Sequence, residues 1–179
     1  MLLFRKSNPP LLEWLQSPIR YMESSSAAER IRGIAGDAFS PRSCIYHYLH
    51  MAKGNYREYL QGDPVKIKKY FYVLRPILAC EWIEKRGTMA PVAFPQLVKD
   101  ILPEDSELKQ AILQLLKRKI AGDEMDLERR IEPINAYIEG KIAYYERAAS
   151  AMPEAGRGPE LDRRLDEMFR YVLEEVWDR

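Results

Sequence analysis

The sequence predicts an all-α fold, a compact bundle of about seven to eight helices, and three observations carry that expectation. Apolar residues recur at i, i+3, i+4 and i+7 along nearly every segment. Prolines and hydroxyl or acidic caps stand where helices would begin, and glycines where they would end. No segment shows the apolar–polar alternation of a half-buried strand. With 179 residues, 46% hydrophobic and 31% charged, the chain has the apolar mass for a core and a well-solvated surface.

Taken in order, Pro9–Pro10 opens a short helix with Leu11, Leu12, Trp14 and Leu15 on its apolar face, ended by Ser17-Pro18. Ser24–Ser26 supply caps for a second helix to about Phe39, weakened by Gly33 and Gly36. Ser40-Pro41 starts a third, which carries Ile45, Tyr48, Leu49, Ala52, Tyr56 and Leu60 on one side. Gly62 stops it, and Asp63-Pro64 begins a fourth over roughly 64–86. Val65, Ile67, Phe71, Leu74, Ile77, Leu78 and Trp82 make that helix apolar on most sides, the mark of a central element. Pro76 removes one of its hydrogen bonds and predicts a kink.

After a loop over 88–94 come a short helix near 95–101 and another over about 105–120, with Leu108, Ile112, Leu115 and Leu116 inward. A long helix is expected over 124–148, interrupted near Pro133, with Ile131, Ile134, Tyr137, Ile138 and Ile142 inward. Proline and glycine in 150–159 read as a linker. The organisation expected is therefore a helical domain over 1–149, a linker over 150–159 and an amphipathic helix over 160–179. That helix has the stripe Leu161, Leu165, Met168, Val172 and Val176, expected to fold back on the rest. It is too short for a stable coiled coil.

Bulk properties exclude several classes. The net charge of +1 exerts no overall pull toward nucleic acid or membrane. Two cysteines, Cys44 and Cys80, are too few for a disulfide framework and read as buried thiols in a reducing, cytoplasmic setting. Arg5, Lys6 and Pro9–Pro10 interrupt the apolar start too early for a signal peptide. No run approaches the roughly 20 apolar residues that span a bilayer, so no membrane partner is expected.

Charge is unevenly spread. From Arg42 to Arg75 seven basic residues face only Glu58 and Asp63, a local excess of five positive charges, while the remainder carries four net negative ones. Lys68, Tyr72 and Arg75 fall at i, i+4 and i+7 of the fourth helix, and Tyr46, His50, Lys53 and Arg57 keep helical spacing on the third. If these two helices pack antiparallel, cations and phenols line a shared groove. Two readings stay open: an anion- or base-binding surface, or a solvated face over core tyrosines with wet hydroxyls. Arg75, set amid Leu74, Pro76 and Ile77, calls for an anionic partner. His47 and His50 have no cysteine or carboxylate cluster to complete a zinc site, and structural roles are expected for both.

Walker loop, dinucleotide turn, HExxH and nucleophile elbow are missing from the sequence. The carboxylates of Glu104–Glu107 and Asp123–Glu128 read as solvated helix starts, with Glu124 after Gly122 singled out.

Three blocks carry a family resemblance: Lys6-Ser7-Asn8-Pro9-Pro10-Leu11-Leu12-Glu13-Trp14-Leu15, Tyr48-Leu49-His50-Met51-Ala52-Lys53-Gly54-Asn55-Tyr56, and Lys68-Lys69-Tyr70-Phe71-Tyr72-Val73-Leu74-Arg75-Pro76. Over residues 5–145 the chain resembles the C-terminal helical region of bacterial predicted nucleotidyltransferases of the YcgL type, within the DNA polymerase β superfamily. The resemblance implies an N-terminal α/β catalytic domain, with a Gly-Ser turn and Mg²⁺-binding acidic residues, that this chain lacks. It implies no cofactor in the chain itself, Mg²⁺ being needed only with that absent domain, supplied in cis or trans. The chain would then be an accessory portion, inactive alone, that binds a nucleotide or an RNA or DNA end. Lys53, Asn55, Tyr56, Lys68, Lys69, Tyr72 and Arg75 are the nucleotide- or phosphate-binding candidates on that resemblance.

Two alternatives stand beside it. Arg42 to His47 resembles the arginine–histidine motif of HEPN-type ribonucleases, with Arg42 stabilising developing charge and His47 moving a proton. The apolar start, Leu2–Trp14, suits a protein-interaction module or a homo-oligomer contact.

Overall fold

The computed structural model describes residues 2–152 and 159–177. It is all-α: nine α-helices and one two-stranded ribbon among the described residues. The chain divides into two compact units, one formed by residues 1–44 with 153–179 and the other by 45–152.

In the first unit, α1 (Leu2–Arg5) and α2 (Pro9–Leu15) frame the Lys6–Pro10 segment. The helix at 2–5 adds one to the expected number; its single turn is too short to show periodicity. Asn8 caps α2 by accepting the Leu11 N–H at 3.0 Å, and Pro9 and Pro10 occupy the first turn, where no hydrogen bond is lost. Ser7 is buried at φ +48° and its hydroxyl accepts the Ser40 N–H at 2.7 Å. α3 (Ala27–Ala35) is shorter than expected. Its N-cap, Ser26, gives its N–H and hydroxyl to the Glu175 carboxylate, which places negative charge at the helix N-terminus.

Glu175 belongs to α9 (Pro159–Trp177), which packs on α3, buries Leu161 and Leu165, and sets Tyr171 under the Arg30 guanidinium at 3.4 Å. The expected linker falls largely on 153–158, outside the described residues. Leu2, Leu3 and Trp14 are exposed, whereas Phe4 and Leu12 are buried.

The second unit is built around α5 (Tyr70–Arg86), whose Val73, Leu74, Ile77, Leu78, Ala79 and Cys80 are fully buried. Pro76 lies inside this helix, as read from the sequence. The start of the helix differs from the expectation. Val65–Lys66 is strand β1 and Ile67–Lys69 a 3₁₀ turn, so α5 begins six residues later. Val65 and Ile67 are buried while Lys66 and Lys68 are exposed, a period of two that belongs to strand rather than helix. β1 pairs antiparallel with β2 (Leu127–Glu128).

The expected helix over 124–148 is accordingly corrected: α8 runs Glu132–Ala151. Pro133 sits in its first turn rather than interrupting it. α4 (Pro41–Tyr59) lies antiparallel to α5, with Cys80 Sγ near the Ile45 carbonyl at 3.8 Å and Lys69 against Tyr59 at the other end. α6 (Phe94–Ile101) packs on α5 and α7 (Glu107–Ala121) on α8. No described helix is long and apolar enough to cross a membrane.

Candidate functional site

The cations and phenols predicted to share one groove gather at two places, both in the second unit. The first is a groove of about 540 Å³ between α4 and α8. His50, Lys53, Gly54 and Arg57 keep i, i+3, i+4, i+7 spacing and form one wall with Tyr56, and Glu139 and Glu146 stand opposite. Lys53 pairs with Glu146, both about half exposed, so the pair stabilises the fold by roughly 1 kcal/mol at most. The Tyr56 hydroxyl donates to Glu139. Burial, then that carboxylate, push the phenol up to about 12. Arg130 reaches the same carboxylate at 3.5 Å.

The second place is where α4 ends and α5 begins. Lys69 Nζ stands 3.9 Å from the ring centre of Tyr59 and 4.7 Å from that of Tyr72, and Lys66 Nζ is 5.9 Å from Tyr59. Tyr72 is half exposed and Lys68 exposed. On the next helix, Lys119 Nζ lies 4.5 Å from the Phe71 ring. Tyr72 meets Lys69, three residues before it, an ordinary helical neighbour. The hydrogen bond from Tyr59 to Glu58 raises the Tyr59 phenol.

The remaining candidates are distributed. Asn55 Nδ2 donates to the Met51 carbonyl within α4 at 2.9 Å. Arg75 is part-exposed, and its guanidinium also donates to the Val92 carbonyl at 3.5 Å. Arg42 and His47 lie five residues apart on α4, about 140° around its axis, and the His47 ring meets Tyr48 edge-on at 5.6 Å. The Glu124 carbonyl accepts from Arg118, whose guanidinium also pairs with Glu128.

Two clusters escaped the sequence reading. Glu81, 4% exposed, takes the Tyr137 hydroxyl, Lys141 at 2.8 Å and Lys85 at 3.5 Å; burial and the Glu81 charge raise the Tyr137 phenol. Beneath the cation–phenol cluster, the Tyr70 hydroxyl donates to Asn135 and accepts the Ile131 N–H at 3.0 Å, while Asn135 donates to the Leu60 carbonyl at 3.2 Å. Charged and amide residues at helical spacing were the only signal of either cluster, and that signal is shared with any solvated face.

With this geometry in place, the family is decided by a model described as the RNA repair pathway DNA polymerase beta family, which matches residues 1–171. The chain belongs to that family. It is 47% identical over 175 residues to YcgL of Bacillus subtilis (strain 168), an alignment covering 98% of this chain and 66% of that protein. The chain thus spans just under two thirds of the length of this curated relative. No solved structure matches it.

Magnesium chemistry in this superfamily needs clustered carboxylates. Among the described residues no group of three or more His, Cys, Asp or Glu side chains converges, and Glu139 and Glu146 are engaged by Tyr56 and Lys53. These described residues do not fit a Mg²⁺ site.

Proposed function

We propose that this chain is the helical, strand-end-binding portion of a nucleotidyltransferase-related RNA-repair protein. Transfer chemistry falls to a Mg²⁺-dependent catalytic domain acting in cis or trans, in the cytoplasm, and the chain alone transfers nothing. The observation that carries this reading is Lys69 held against both Tyr59 and Tyr72, with Lys66 and Lys68 beside it. Phenol rings stack on bases and ammonium groups neutralise the phosphates between them, a combination that is tolerant of sequence and suited to single strands. Family membership adds a substrate class to that chemistry, since the family's description names RNA repair.

The test is fluorescence anisotropy with a labelled oligouridylate of about ten nucleotides, within the span such surfaces cover. Binding is expected at low salt, weakening as salt rises by about 0.7 log units per log unit for each phosphate neutralised. Lys68→Ala with Lys69→Ala flattens that slope, and Tyr72→Ala weakens binding by about 1–3 kcal/mol. Binding that is absent at low salt, or unaltered in both variants, refutes the reading. Incorporation of labelled nucleotide by the isolated chain with Mg²⁺ refutes its inactivity.

A further inference from the structure

The α4–α8 groove stands apart from the cation–phenol cluster, and the strand-binding reading leaves it unused. Tyr56 lines the groove and Tyr59 belongs to the cluster, and the two residues are one helical turn apart on α4. Their Cβ atoms are therefore about 5–6 Å apart, within reach of a single nucleotide. The groove wall offers an ammonium at Lys53, a guanidinium at Arg57 and an imidazole at His50. Charge-assisted bonds from such groups to a phosphate are the stronger kind, and a terminal monoester presents more charge than an internal diester.

Two features suit this groove to an occupant. Gly54 lies inside α4, where glycine weakens a helix. A Cβ built there meets nothing within 4 Å, so no neighbour requires the missing side chain. Its absence leaves that stretch of the groove wall open. Across the groove, Lys53 and Tyr56 are each held by a carboxylate, Glu146 and Glu139. Both pairs are partly solvated, so an incoming phosphate exchanges one anionic partner for another at little cost.

Resting on the strand-binding reading, we infer that this groove takes the terminal phosphate of an RNA strand whose last bases lie on Tyr59 and Tyr72, with Lys53 and Arg57 as its ligands and Glu146 as the internal anion it displaces. The partner class is thereby narrowed from any strand end to a phosphate-bearing one.

The experiment compares oligouridylates ending in hydroxyl, 5′-phosphate or 3′-phosphate, each labelled at the opposite end, by anisotropy against the full chain. One phosphate-ended probe is expected to bind about tenfold tighter than the hydroxyl-ended one, the scale of one charge-assisted hydrogen bond. Lys53→Ala with Arg57→Ala brings that ratio close to one. Gly54→Leu does the same without removing a charge, and because leucine favours helix over glycine it leaves the thermal midpoint no lower, separating occlusion from unfolding. Glu146→Gln raises the ratio by roughly two- to fivefold, the scale of a released surface pair. Equal affinity for all three probes overturns the groove assignment while leaving the strand surface standing. A ratio that survives Gly54→Leu and the double alanine variant overturns it too. Failure of every probe to bind overturns the strand-binding reading itself.

Discussion

Tyr70→Phe removes one oxygen from beneath the candidate strand surface, and the structure sets the size of its effect. Tyr70 is fully buried at the first residue of α5. Its hydroxyl accepts the Ile131 N–H at 3.0 Å and donates to Asn135, which is fully buried as well. The phenylalanine ring refills the space of the tyrosine ring, so no large cavity opens and the loss is almost purely polar. Two groups lose their partner at once, the Ile131 N–H and the Asn135 side-chain oxygen. Each buried orphan costs about 1–3 kcal/mol. Part-exposure of Ile131 lets water recover some of the first, so the expected destabilisation is about 2–4 kcal/mol. The assay is urea unfolding followed by far-UV circular dichroism and by Trp82 fluorescence in a Trp14→Phe, Trp177→Phe background, which confines the fluorescence signal to the second unit. Because Lys69 and Tyr72 flank Tyr70, oligouridylate affinity should fall in the same variant. A midpoint shift worth less than about 0.5 kcal/mol would refute the reasoning, since that is the ordinary scatter of a surface substitution.

Three further outcomes follow from the same geometry. Lys109, 4% exposed, donates to the Lys99 and Leu102 carbonyls at 3.3 and 3.2 Å, closing the end of α6; Lys109→Met should destabilise by about 1–3 kcal/mol in urea unfolding. Tyr56 has a folded pKa raised above its ordinary value of 10.0 to about 12, so its protonated form favours the fold; that contribution is intact below pH 10 and is lost as pH rises through 12, and Tyr70 acts in the same direction. Unfolding midpoints should therefore fall over this window, less steeply in Tyr56→Phe, and a midpoint flat to pH 12 would contradict the assignment. Cys44 is fully buried with its thiol pushed up to about 11 by burial, so a thiol reagent at pH 8 should label it only at the rate of unfolding.

Why the fold was legible and the site only partly so comes down to what periodicity encodes. The helices announce themselves because burial repeats with the backbone: Ile45, Tyr48, Leu49 and Ala52 on α4, or Ile134 and Ile138 on α8, could be placed inward from spacing alone, and all are buried. The start of α5 is not legible in the sequence because Val65-Lys66-Ile67-Lys68 satisfies two templates, and only the partner strand at 127–128, distant in sequence, decides between them. Lys68 and Lys69 both stand within one helical turn of Tyr72 in the sequence, and only the folded side chains show that Lys69 lies against its ring, at 4.7 Å. The groove was half visible: His50, Lys53 and Arg57 shared a face in the sequence, but the opposing wall, Glu139 and Glu146, belongs to a helix some eighty residues later. The three blocks of family resemblance divide along the same line. Ser7, Asn8 and Pro9 close turns and Tyr70 anchors a network, tasks of folding, whereas Lys53 and Tyr56 in the second block and Lys69 and Tyr72 in the third turn toward surfaces that a ligand can reach. A motif carried whole from sequence therefore mixes scaffold and site, and the tertiary partner of each side chain is what separates them.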